Sequence, residues 1–116
     1  MLKLYGIPNC STVKKARAWL EAHEVAYEFH DFRKQGIDAA TLENWLQQQP
    51  WEKFVNRAGM TWRNLSDVDK SLVNDNASAI RLMTAKPAVI KRPVAIEANK
   101  IHAIGFLVSA YEKLLK

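Results

Sequence analysis

The chain has 116 residues, 48% of them hydrophobic and 25% charged, the balance of an ordinary single globular domain with one core. Three classes are excluded or disfavoured at once. No apolar run is long enough to cross a bilayer, Met1-Leu2-Lys3-Leu4-Tyr5 lacks the pattern of a signal peptide, and one cysteine cannot form an internal disulfide. A cytoplasmic protein without membrane association is therefore expected. The formal charge of +5 is spread over the chain without a polybasic run, which fits a solvated surface better than a nucleic-acid interface.

In chain order, Leu2-Lys3-Leu4-Tyr5 alternates as a short strand and Gly6-Ile7-Pro8-Asn9 reads as a turn. Ser11 and Thr12 are candidate caps for a helix carrying Val13, Ala16, Trp19 and Leu20 at helical spacing through about residue 23. Residues 25–32 are rich in β-branched and aromatic side chains and predict a second strand. After a break at Gly36, residues 37–49 predict a helix with Asp38 near its start and Pro50 as its stop. Trp51 to Val55 predicts a helical turn, and Gly59 a turn before Trp62. Ser66-Asp67 marks one further short helix, and Asn76 or Ser78 caps another that ends before Pro87.

Ala88-Val89-Ile90 and Val94-Ala95-Ile96 read as two short strands, Asn99-Lys100 as a hairpin turn, and residues 105–116 as an amphipathic helix. Strand, helix, strand suggests a βαβ unit with parallel strands. A hairpin and a helix follow in the second half. This is the element order of a thioredoxin-like α/β domain, a mixed central sheet flanked by helices. It predicts one domain over residues 1–116, with a helical insertion between its halves at roughly 37–86.

Cys10 falls where a strand-ending turn meets a helix start. Unpaired first-turn amides and the helix dipole favour negative charge there, and the thiolate is the reactive form of cysteine. Thr12 and Val13 follow at the second and third positions after it, so there is no CxxC and no intrachain dithiol chemistry. A disulfide made by Cys10 must be intermolecular, and an external thiol must resolve it. His23, His30 and His102 have no metal-ligand spacing, so no metal is expected.

The segment Tyr5-Gly6-Ile7-Pro8-Asn9-Cys10, with Lys14-Lys15-Ala16 and Trp19-Leu20 after it, resembles the arsenate reductase/Spx-type (ArsC) family. The likeness continues through residues 29–34 and 56–63, Lys91-Arg92-Pro93-Val94 and Ile104-Gly105-Phe106. It covers nearly the whole chain in the right order, and is greatest to the small YffB-like subgroup. The resemblance implies a glutathione-dependent monothiol reductase in which Cys10 is the catalytic cysteine. Arg57 and Arg92 match the two arginines that surround the active thiol of arsenate reductases, and Arg63 is a weaker candidate.

Pro93 matches the cis-proline that faces the active site in this fold, presenting the Arg92 backbone to an extended thiol peptide. Asn9, Ser11 and Lys14, with Arg92 and Pro93, are the candidate substrate-binding residues. Glutathione is the implied cosubstrate, with no tightly bound cofactor. Glutaredoxin or a protein disulfide are further candidate partners, and a monomer is expected.

Two departures bear on activity. Gly6 stands where arsenate reductases of the family carry a histidine, and residues 100–104 lack a third arginine. Both count against robust arsenate reduction, and Val13 removes the CxxC switch common in Spx regulators. A weak arsenate reductase and an Spx-like module that docks on a protein such as RNA polymerase stand as the alternatives.

Overall fold

In the computed structural model, which describes Met1–Leu115, the alternating N-terminal residues form strand β1 (Leu2–Gly6). Helix α1 (Ser11–Ala22) follows, then β2 (Tyr27–Asp31) and a single turn of helix, α2 (Phe32–Gln35). β1 and β2 pair in parallel, with Leu2 opposite Tyr27 and Gly6 opposite Asp31. The chain returns to this sheet as β3 (Val94–Glu97), antiparallel to β1, and β4 (Lys100–Ile104), antiparallel to β3. The strand order β2-β1-β3-β4 is the mixed sheet of a thioredoxin-like fold.

The chain divides into two compact units. Met1–Gln35 with the segment from Arg92 onward forms one, and Gly36–Lys91 forms the other. In the first, strand periodicity puts Leu2 and Leu4 on one face of β1, where they pack with Ala95 of β3 and with Ala16 and Leu20 of α1. Tyr111 joins them from the C-terminal helix (Val108–Glu112, α7 below) and is wholly buried. Its ring meets Trp19, Phe106 and His102 edge-on at 5.8, 4.9 and 6.4 Å, the arrangement favoured by ring quadrupoles. The hydroxyl has no hydrogen-bond partner among the described residues, a net cost to the fold, and burial holds it protonated well above its usual range.

Gly6 is dictated by close approach rather than by backbone angle. A Cβ there would stand 2.8 Å from Val13 Cγ2, and Val13 is wholly buried. The glycine lets α1 settle directly against the end of β1. Gly36 takes φ +61°, which a side chain rarely adopts, and marks the change from one unit to the other.

The second unit is helical. α3 (Ala39–Gln48) is capped by Asp38, whose Oδ1 accepts the Thr41 N–H at 2.8 Å, and it buries Leu42, Trp45 and Leu46. A 3₁₀ turn (Trp51–Lys53) brings Phe54 under Trp45, ring centroids 5.6 Å apart. Three more helices follow: α4 (Met60–Arg63), α5 (Asp67–Ser71) and α6 (Asn76–Ala85), with α5 capped by Ser66.

Several expectations are corrected. α1 is capped by Cys10 itself, not by Ser11 or Thr12, which are already helical. The cap of α6 is Asp75, in a reciprocal box with Ser78, rather than Asn76 or Ser78 alone. Residues 88–90 are not a strand. Pro87, with fixed φ and no N–H, opens a 3₁₀ turn (Pro87–Val89), and Ile90 makes one isolated bridge to Val55. The true partner of β3 is the downstream β4, through a turn whose positive-φ residues are Ala98 and Asn99. The last helix is short: α7 (Val108–Glu112) runs into a 3₁₀ turn (Lys113–Leu115), and Lys116 lies outside the described residues.

Candidate functional site

Cys10 ends the turn after β1 and stands at the cap position of α1 with extended backbone, φ −90° and ψ 128°. Its N–H reaches back to the Ile7 carbonyl at 3.4 Å, and its carbonyl accepts the Lys14 N–H at 2.9 Å, so the residue is held on both sides. The side chain is half-buried. As a neutral thiol it makes no capping bond. Ionised, the sulfur takes over the role that a serine or aspartate oxygen has at other helix caps.

Its acidity follows from that geometry. Burial pushes the thiol pKa up, but it is outweighed by the Val13 amide, the Arg92 side chain, the Thr12 amide and the Arg92 charge. Together they hold the thiol below its ordinary value. The amide donors are the second and third helical residues, which cap geometry supplies wherever a side-chain acceptor precedes a helix. Thr12 and Val13 were not singled out as functional residues by sequence. Their contribution is through backbone, and the signal for it was the cap position of Cys10.

The structure brings Cys10 and Arg92 together within one unit. The Arg92–Pro93 peptide bond is cis, the conformation implied by the resemblance. Pro93 is buried, and its carbonyl accepts the Gly105 N–H at 2.7 Å, which ties the start of β3 to the end of β4. Asn9, Ser11 and Lys14 are exposed around the cysteine, on the turn and the first helical turn. Arg57 belongs to the helical unit, where it is exposed with its guanidinium 5.8 Å from the Trp51 ring centroid. Arg63 ends α4 in the same unit. Among the described residues no group of three or more His, Cys, Asp or Glu side chains is arranged to hold a metal ion. No helix among them is long and apolar enough to cross a membrane.

A thiolate backed by two amides and a guanidinium can act as a nucleophile on sulfur, and the cation is placed to receive an anionic group near it. Several known proteins are similar to this chain. The solved YffB protein is 44% identical over the full length of both chains, with a TM-score of 0.93. An arsenate reductase-related protein of Brucella melitensis is 47% identical, covers 99% of this chain and 94% of its own, and has a TM-score of 0.77. The global transcriptional regulator Spx of Streptococcus agalactiae is 28% identical over 91% of this chain and 77% of its own. Residues 5–114 match the ArsC family model, and the chain belongs to the ArsC family.

Proposed function

We propose that this protein is a cytoplasmic monothiol reductase that uses Cys10 and glutathione. The observation that carries the reading is the Cys10 sulfur at the cap of α1, its ionised form favoured by the Val13 and Thr12 amides and by Arg92. The thiolate attacks one sulfur of a disulfide. The Cys10–S bond forms as the S–S bond breaks, and the departing thiolate takes a proton from solvent. A glutathione thiolate then attacks the mixed disulfide and releases Cys10. Arg92 stabilises the thiolate in the resting state and again as the leaving group in the second step. Arg57 is proposed, on the family resemblance alone, to hold an acidic group of the substrate.

Relationship to Spx supports a second reading, a module that docks on a protein partner. Val13 bears on the choice: the third position after Cys10 holds a buried valine, so a two-cysteine switch is absent.

The test is intact-mass analysis of the reduced protein after incubation with oxidised glutathione. The expected product carries one glutathione per chain, is reversed by excess reduced glutathione, and is absent in Cys10→Ser. A wild-type protein that stays unmodified under these conditions overturns the glutathione reading.

A further inference from the structure

Parallel pairing of β1 with β2 places Asp31 opposite Gly6, at the mouth of the turn that carries the cysteine. Here Pro8 and Asn9 face Asp31, Arg33 and Lys34 across an open cleft of about 270 Å³. All five residues lie in the same unit as Cys10. The chain motif Asp31-Phe32-Arg33-Lys34 has no role in the chemistry described above.

The charges in this cleft are unusual in combination. Asp31 is 7% exposed, and its Oδ1 accepts the Arg33 N–H at 2.9 Å. Its second carboxylate oxygen has no hydrogen-bond partner among the described residues, and neither the Arg33 nor the Lys34 side chain has an ion-pair partner there. Both cationic side chains are exposed. A simple anion entering the cleft meets two cations but also a carboxylate. A simple cation meets the reverse. A group carrying both signs on adjacent atoms matches all three.

We infer that the Pro8–Asn9/Asp31–Lys34 cleft is a subsite for the zwitterionic α-amino-acid head of the thiol substrate, the γ-glutamyl end of glutathione. Arg33 and Lys34 receive its carboxylate and Asp31 its ammonium. Position supports this. Pro8 and Asn9 are the turn residues immediately before Cys10, so at most roughly 7 Å of backbone separates them from it, a distance a γ-glutamyl arm covers from its own sulfur. The inference rests on the proposed reaction of Cys10 with glutathione, in which Cys10 thiolate displaces one glutathione thiolate from oxidised glutathione and keeps the other as a mixed disulfide.

The experiment compares rates of mixed-disulfide formation, by acid quench and mass analysis, for four disulfides. These are oxidised glutathione, its γ-aminobutyryl analogue (no head carboxylate), its glutaryl analogue (no ammonium) and uncharged 2-hydroxyethyl disulfide. Wild type is expected to react about tenfold faster with oxidised glutathione than with the γ-aminobutyryl analogue, and severalfold faster than with the glutaryl analogue.

Discrimination for the carboxylate is expected to vanish in R33A/K34A, and that for the ammonium in D31N, whose amide oxygen can still accept the Arg33 N–H. Equal wild-type rates with oxidised glutathione and both analogues overturn the subsite. If 2-hydroxyethyl disulfide still reacts, the monothiol chemistry survives that result. A wild-type Cys10 inert to all four overturns the proposed function as well.

Discussion

Arg92→Gln is expected to slow alkylation of Cys10 at neutral pH by about tenfold and to move the midpoint of the rate–pH profile upward. The sign follows from the forces on the sulfur. Burial opposes the thiolate; the Val13 amide, the Arg92 side chain, the Thr12 amide and the Arg92 charge favour it. Glutamine keeps an N–H donor, on a shorter side chain, but removes the charge. The two amides remain, so the thiol should stay more acidic than one with no helix behind it. Arg92→Lys restores charge without the planar fork and is expected to fall between the two. The check is the rate of iodoacetamide labelling across pH, with thermal unfolding run alongside to confirm that each variant is folded. An unchanged profile in Arg92→Gln would remove the guanidinium from the account and leave the helix cap alone.

The second large effect is steric. Gly6→Ala is expected to destabilise the protein by about 1–3 kcal/mol, the range for overpacking a filled core. The added Cβ would lie 2.8 Å from Val13 Cγ2 and 3.3 Å from Cγ1, and a β-branched side chain on a helix has no free rotamer to yield with. Val13→Ala alone is expected to cost a similar amount through lost packing. The two should be strongly non-additive, because Val13→Ala removes the methyls that the new Cβ strikes. Urea unfolding of the two single variants and the double variant tests this. A double variant as unstable as the sum of the singles would show that Gly6 is needed for another reason.

This contact also has a chemical consequence. The Val13 amide favours the ionised Cys10 sulfur, and its side chain fixes α1 against β1. Any side chain at position 6 therefore disturbs the placement of a thiolate donor. The family histidine expected at Gly6 in arsenate reductases could not be accommodated here with Val13 in place.

Much of the first unit was legible in the sequence. Alternation in Leu2-Lys3-Leu4-Tyr5 and the helical spacing of Val13, Ala16 and Leu20 express core faces directly, and in the second unit Asp38 was recognisable as the start of α3. What failed did so where local chemistry is ambiguous. Asn74, Asp75 and Asn76 are three consecutive good caps, and only the position of the Ser78 hydroxyl selects Asp75. Ala88-Val89-Ile90 has the composition of a strand, but Val55 offers it a single bridge rather than a full edge. Residues 100–104 carry a modest apolar alternation, and displacing the turn by one residue hid the strand that they form.

At the site, the strand–turn–helix position of Cys10 was readable because a helix start has fixed electrostatics. The partnership with Arg92 was not readable from spacing, since 81 residues separate them in the chain and only the family resemblance joined them. The cleft between Pro8-Asn9 and Asp31-Arg33-Lys34 depends on the register that sets Gly6 opposite Asp31, a long-range fact that no local pattern encodes.

The most direct test of the central claim is titration of the Cys10 thiolate by its ultraviolet absorbance, with Cys10→Ser as the blank. A midpoint below that of the same thiol in the urea-unfolded chain is the result predicted by a sulfur held by the Val13 and Thr12 amides and Arg92. A midpoint at or above that unfolded value would mean that burial prevails at the helix cap, and would contradict a redox role built on an activated thiolate.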